Sequence, residues 1–318
     1  MRHEEGMLSG KHLPTVGAGA AATVAAAALI AIAGITGCGR NTTPERDGAP
    51  PGDHSRQLTA TEEVLIERAE QLLVKKCMER AGFRYWVTPV EDAESRKGTS
   101  FVLDDIGWAK KHGYGGRFKR QAEETRRNGP NGAYAEALPQ HERLRYREVL
   151  DGTPSQGMLS AALPGGGSVM TPRRSCHVEA KSRLYGDFET WFRVEKTATH
   201  LTPLYVPDLS RDRRFTSALR AWSSCMRDKG MHYADPFEIR EKIGPLTEAL
   251  SDASAHAVEV KIAVAEAECA DRSSLAETAR TLETEYRASH TRRYRADVAA
   301  FQRLRLTALQ RAKDVVGP

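Results

Sequence analysis

The sequence predicts a mainly α-helical fold with a few short strands, in which duplicated helix–turn–strand units are stapled by disulfides and followed by a long C-terminal helix. Three observations lead there: apolar residues recur at helical spacing beyond residue 58, a nine-residue motif occurs twice, and five cysteines separate into one and four. Bulk composition agrees with a folded protein. Of 318 residues, 40% are hydrophobic and 28% charged, and the mean hydropathy is −0.52. That balance supports one or two packed domains and excludes global disorder or a multispan membrane protein. The 47 Lys and Arg against 42 Asp and Glu leave a formal charge of +5, a mild excess compatible with anionic partners.

Residues 1–37 read as a secretory signal. Arg2, His3 and Lys11 make a basic start, the stretch from Val16 to Gly37 carries no charge, and it ends in Ile35-Thr36-Gly37-Cys38. Those last four residues resemble the bacterial lipobox, an aliphatic residue and two small ones before a cysteine, with Ile35 where Leu is commoner. Cys38 would then carry a diacylglycerol thioether and become the mature N-terminus. Two acyl chains hold firmly, since each buried CH₂ contributes about 0.8 kcal/mol. The alternative is an uncleaved span, for which ~20 apolar residues suffice, although the Ala and Gly content makes this one weakly hydrophobic. Residues 38–57, rich in Pro and Gly, read as the lipidated end and a flexible tether on the outer face of the membrane.

The first helix is announced by a capping box, Thr59 with Glu62, and by Leu65, Ala69, Leu72, Leu73 and Cys77 on one face. Gly82 stops it, and Phe83 to Val87 reads as a short strand. The design returns 148 residues later. Phe215, Leu219, Trp222 and Cys225 or Met226 share a face, Gly230 ends the helix, and Met231-His232-Tyr233 continues as extended chain. Cys77 to Tyr85 and Cys225 to Tyr233 both read C-M-x-x-x-G-[FM]-x-Y, which makes a duplicated unit plausible. This divides the exported part into halves at 58–200 and 201–318.

Between the units, residues 107–132 hold six Gly and seven Lys or Arg with Trp108, Tyr114 and Phe118 interleaved, and read as a long basic loop. A second break, 163–175, precedes a helix from His177 to Tyr185. Ala255 to Ala270 forms another helix, and Ser274 with Glu277 caps one that runs to about Val315 along Leu275, Ala279, Leu282, Tyr286, Tyr294, Val298, Phe301, Arg305 and Ala308. Ser289 and Arg293 interrupt that stripe, which argues against a coiled coil.

Setting Cys38 aside leaves Cys77, Cys176, Cys225 and Cys269. An even set in an exported chain points to two disulfides with three possible connectivities. The duplication favours Cys77–Cys176 with Cys225–Cys269, because each half then pairs its C-M cysteine with one on a helix bearing an adjacent Glu-Ala. A zinc site is disfavoured, since structural zinc uses short C-x₂₋₄-C pairs and these cysteines are 99, 49 and 44 residues apart.

No HExxH, P-loop, G-x-S-x-G or G-x-G-x-x-G occurs, and nothing asks for a cofactor or metal. The acidic pairs Asp104-Asp105 and Glu62-Glu63 read as solvated faces or caps, and a Ser-His-Asp arrangement is not readable from spacing. The sharpest candidate is the basic aromatic loop. Trp108, Lys110, Lys111, Tyr114, Arg117, Lys119 and Arg120 could hold an anionic wall polymer or lipid head groups by charge and stacking. The competing reading is a solvated loop with its aromatics tucked into the core. Nucleic acid is not expected as a partner at so small a net charge.

Taken together, the lipobox, the C-M-x-x-x-G-F-x-Y helix end, G-W-A-x-x-x-G-Y-G at 107–115, L-P-G-G-G-S at 163–168 and C-x-x-E-A-x-x-x-L-Y-G at 176–186 resemble uncharacterised secreted lipoproteins of actinomycetes. The resemblance implies a surface or cell-wall location and leaves the activity open. The expectation is a lipid-anchored binding or envelope-structural module; the alternative is a secreted wall-directed hydrolase with a non-sequential site. A solute-binding subunit is disfavoured, because alternating strand and helix units are not evident.

Overall fold

The computed structural model describes residues 56–99 and 101–317, so the expected signal sequence, the lipidation call at Cys38 and the expected tether up to residue 55 lie outside the described residues. Helices dominate: α1 (Ala60–Arg80), α2 (Ile106–His112), α3 (Gly116–Asn128), α4 (Pro130–Ala137) and α5 (Gln140–Asp151) precede the one hairpin found among the described residues. Its strands, β1 (Met158–Ala162) and β2 (Ser168–Pro172), pair antiparallel from Met158↔Pro172 to Ala162↔Ser168. Then come α6 (Cys176–Tyr185), α7 (Phe188–Thr199), the short α8 (Val206–Leu209), α9 (Arg213–Asp228), α10 (Pro236–Thr247), α11 (Asp252–Arg272), α12 (Leu275–His290) and α13 (Arg295–Val316).

The repeated motif folds the same way twice. In α1 the capping box forms, with Glu62 N–H donating to Thr59 Oγ1 at 3.2 Å and Thr59 N–H to Glu62 Oε2 at 2.9 Å. The helix ends where Gly82 takes φ +89°, its N–H donating to Glu79 O at 3.0 Å and that of Phe83 to Met78 O at 3.0 Å. At the end of α9, Gly230 has φ +74°, its N–H reaches Arg227 O at 2.8 Å, and Met231 N–H reaches Met226 O at 2.9 Å. Both are Schellman ends, which need a left-handed residue that Gly adopts without a Cβ penalty. Each turns the following chain back over the buried Met of its own last turn.

Several expectations are corrected. Phe83 to Val87 is not a strand: the Asn131 side-chain amide accepts from Trp86 N–H at 2.8 Å and donates to Trp86 O at 2.8 Å, standing in for a neighbouring strand. Residues 107–132 are not a loop but most of α2, all of α3 and the start of α4. The break at 163–175 conceals the hairpin, whose turn closes through Leu163 N–H to Gly167 O at 3.0 Å. Ser274 does not cap α12 with its side chain, because it sits in the left-handed region at φ 53°. The expected continuous helix to Val315 breaks at the 3₁₀ turn Arg292–Tyr294, beside the residues that interrupt the apolar stripe.

Two main cores result, each holding one disulfide. The bridges are Cys77–Cys176 and Cys225–Cys269, the pairing that the duplication favours. The partner positions differ, since Cys176 opens α6 whereas Cys269 lies near the end of α11. The cores also cross the division at residue 200. The first gathers Ile66, Val74, Met78 and Leu184 but takes Ala308, Leu309 and Ala312 from α13. The second gathers Trp222, Met226, Ile239 and Leu275 but takes Leu103, Trp108 and Tyr114 from the first half. Burying each large side chain contributes roughly 1.5–3 kcal/mol, so each half depends on the other for part of its core. No helix among the described residues is long and apolar enough to cross a membrane.

Candidate functional site

The segment singled out for anion binding is a helical clamp. Asp105 caps α2 by accepting from Trp108 N–H at 2.8 Å, and the basic Lys110, Lys111 and His112 fall in the last turn, where cations complement the helix dipole. Trp108 is buried, and its Nε1–H donates to Glu94 O at 2.9 Å. Its ring lies 5.2 Å from His112, which lies 4.9 Å from Phe118, so the aromatics pack inward in a row. Burial, assisted by Lys111, lowers the His112 pKa.

What the clamp grips is α11. Glu259 accepts from Gly116 N–H at 3.0 Å and Tyr114 N–H at 3.3 Å, and one Arg120 guanidinium nitrogen lies 3.6 Å away. Glu266, fully buried two turns on, accepts from Tyr114 Oη–H at 2.6 Å and Leu103 N–H at 2.9 Å, and Arg240 of α10 donates to it at 3.2 Å. A buried carboxylate is tolerable only with such partners. Burial pushes the Glu266 carboxyl up while Arg240, Leu103 N–H and Tyr114 pull it down. Burial and the same carboxylate push Tyr114 far up, which keeps its hydroxyl a proton donor.

The seven candidate residues therefore separate into three groups. Trp108 and Tyr114 are buried and present no stacking surface to a ligand. Arg117 and Arg120 are tied to Asp252 at the start of α11, at 3.0 and 2.7 Å, and Arg120 first, then Arg117, lower the Asp252 pKa. Lys110, Lys111 and Lys119 are exposed and form no ion pair among the described residues, and Arg126 and Arg127 farther along α3 share that state. Sequence reasoning passed over Asp252, Glu259 and Glu266. The signal was present, since two carboxylates seven residues apart interrupt the apolar, Ala-rich face of α11.

Two other polar clusters are of interest. His177 Nε2 lies 3.6 Å from Asp151, near Tyr85 and Tyr146, and the Tyr146 hydroxyl is buried with no hydrogen-bond partner among the described residues and pushed up to about 12 by burial. At the end of α12, Ser289 Oγ lies 2.8 Å from His290 Nδ1, and His290 Nε2 lies 3.1 Å from Asp208. That sequence of contacts resembles a hydrolase triad, but the chemistry differs. His290 Nδ1 also faces the Tyr286 carbonyl at 2.9 Å, so the serine hydroxyl shares that nitrogen with a second oxygen. Ser289 itself donates to the same carbonyl at 2.9 Å. Among the described residues, no group of three or more His, Cys, Asp or Glu is placed to hold a metal ion.

No protein-family model, curated protein or solved structure matches this chain.

Proposed function

We propose that this is a lipid-anchored extracytoplasmic module that binds anionic envelope material through the outward side of α2 and α3. The two disulfides fit an oxidising compartment outside the cytoplasm. One observation carries the binding role: Lys110, Lys111 and Lys119 form no ion pair among the described residues, and they lie on the two helices that flank Tyr114 and Gly116, which Glu259 and Glu266 bond to α11. Cations held on a rigid element keep their charge for a ligand instead of spending it on internal pairs, as Arg117 and Arg120 do. With the aromatics buried, recognition rests on charge, so binding should weaken steeply with salt.

The test is retention of the protein on immobilised anionic wall polymer across a salt series. The Lys110→Gln, Lys111→Gln, Lys119→Gln variant is expected to elute at lower salt, and unchanged retention overturns the reading. Anchoring is tested by Cys38→Ser, which should move the protein from the membrane fraction to the medium. A hydrolytic reading is disfavoured at Ser289, which among the described residues contacts a histidine and carboxylate pair, because its hydroxyl donates to the Tyr286 carbonyl at 2.9 Å.

A further inference from the structure

The chain has three asparagines, and two of them precede glycine within one short stretch, Asn128-Gly129 and Asn131-Gly132. An asparagine amide can be attacked by the backbone nitrogen of the next residue, and a following glycine, lacking a Cβ, hinders that attack least. The sequence makes the two pairs equivalent, but the fold separates them. Asn131 lies in the first turn of α4 with both ends of its amide engaged: Oδ1 accepts from Trp86 N–H at 2.8 Å and Nδ2 donates to Trp86 O at 2.8 Å. Bringing its Cγ to Gly132 N would break both bonds and the helical backbone at that position. Asn128 is the last residue of α3, is exposed, and its side chain makes no hydrogen bond among the described residues. The peptide unit that follows is equally unrestrained, since neither Asn128 C=O nor Gly129 N–H has a backbone partner among the described residues. The turn itself imposes the glycine: at φ −67° and ψ 148°, a Cβ on Gly129 would lie 2.4 Å from Thr125 O. The link from α3 to α4 therefore requires the very residue that makes Asn128 labile.

We propose that Asn128 is a site of spontaneous deamidation, which places a carboxylate at the cationic end of α3. Gly129 nitrogen gives its proton to base and attacks Asn128 Cγ, the bond from Cγ to Nδ2 breaks, and the nitrogen takes up a proton and leaves as ammonia. Water then opens the cyclic imide. Entry at Cγ gives aspartate, and entry at the backbone carbonyl gives isoaspartate. Both products carry one carboxylate where a neutral amide stood. The new charge stands beside Arg126 and Arg127 in the last turn of α3, which with Lys119 are the cations of that helix that form no ion pair among the described residues. A negative group there offsets part of the field that draws an anion, and it sits at the helix end that the backbone dipole already makes negative. The consequence for binding rests on the wall-polymer reading, whereas the chemistry at Asn128 does not.

The experiment ages the full chain at neutral and at mildly alkaline pH and then cleaves it after glutamate at mildly acidic pH, where deamidation is slow. Fragmentation of the peptide 125–136, which holds both asparagines, assigns each change of amide to acid to one of them. Conversion at Asn128 is expected to run at least about tenfold faster than at Asn131, a barrier difference of about 1.4 kcal/mol, and to quicken at the higher pH. In urea, where Trp86 no longer holds Asn131, the two rates should converge. Asn128→Gln, whose longer side chain disfavours the ring, should leave position 128 unchanged over the same period. On the immobilised wall polymer, Asn128→Asp should elute at lower salt than the parent, and the aged parent should acquire an early fraction that aged Asn128→Gln lacks. An unmodified Asn128, equal rates in the folded chain, or faster conversion of Asn131 overturns the proposal. The mass measurement is independent of polymer binding, so unchanged elution of the Lys110, Lys111, Lys119 glutamine variant removes the wall-polymer reading alone. Unchanged elution of Asn128→Asp, beside a lysine variant that does elute early, overturns the effect assigned to the new carboxylate.

Discussion

The backbone N–H of Gly116 donates to Oε2 of Glu259 at 3.0 Å, joining two residues 143 apart in the chain. A Cβ at Gly116 would overlap the Glu259 carboxylate, and one at Gly113, where φ is +61°, would lie 2.6 Å from Glu259 Cβ and 3.1 Å from Val260 N. The carboxylate can swing away by giving up its bonds to Gly116 and Tyr114, whereas the backbone of α11 cannot move. Gly116→Ala should therefore cost about 1–3 kcal/mol, the usual range for stranding a buried polar group, and Gly113→Ala should cost more. Gly82→Ala, at φ +89° with nothing within 4 Å, meets only conformational strain, about 1–2 kcal/mol. Urea unfolding of the three variants checks the order. Introducing Gly116→Ala into a Glu259→Ala background should cost far less, and simple additivity there would remove the clamp.

This clamp is also where local sequence reasoning stops. Six glycines in 26 residues read as a loop, but Gly113 and Gly116 are there to let backbone approach a helix far along the chain, a long-range reason that a local window does not contain. The Phe83–Val87 strand fails for a related cause, since its pairing partner is the side chain of Asn131. What was legible is what repeats or caps locally. The capping box at Thr59, both glycine helix ends and the disulfide pairing followed from motifs. The duplication extends further than the motif shows, because Lys75 Nζ donates to Tyr85 O at 3.1 Å and, 148 residues on, Ser223 Oγ donates to Tyr233 O at 2.7 Å. Among the candidate site residues, the free lysines were readable as charge, but which cations were already engaged depended on Asp252 and the folded position of α11.

Glu266 and Glu62 should give stability opposite dependences on pH. Burial raises the folded-state pKa of Glu266 above its ordinary value of 4.5, so its favourable contribution is complete below 4.5 and is lost as pH rises through the raised value. Hydrogen bonding from Arg56 lowers Glu62 to about 2, so its contribution is present above pH 4.5 and lost as pH falls toward 2. Denaturant midpoints measured across pH should show Glu266→Gln flattening the fall on the rising side and Glu62→Gln flattening the acid limb. Exchange of those two effects between the variants would contradict the assignment of both carboxylates.

Each disulfide belongs to one core, so breaking one should loosen that core first. The chain-entropy account assigns about 4.7 kcal/mol to the 99-residue separation of Cys77 and Cys176. It assigns about 4.0 kcal/mol to the 44-residue separation of Cys225 and Cys269, a difference too small to rank the two by unfolding midpoint. Hydrogen exchange separates them. The Cys77→Ser, Cys176→Ser variant should lose protection in α1 and α6, and the Cys225→Ser, Cys269→Ser variant in α9 and α11. Uniform loss across all four helices in either variant would mean that the cores unfold as one unit.

The C-terminal helix is the test of how the halves are interlocked. α13 supplies the fully buried Ala308, Leu309 and Ala312 to the core around Cys77, and Arg311 donates to Leu184 O at 2.9 Å. It also places Arg305 on Glu63 at the start of α1. The buried residues of the other core end at Leu282. A chain ending at Tyr294 should therefore lose the core built mostly from residues 58–191, more than a hundred residues upstream of the cut, while retaining the one nearer to it. Leu309→Ala is the milder form of the same experiment and should cost about 2–5 kcal/mol, the range for emptying a buried leucine site. Hydrogen exchange on the truncated chain should show α1 and α6 deprotected with α9 and α11 protected. The reverse order would place the dependence of the two cores the other way round.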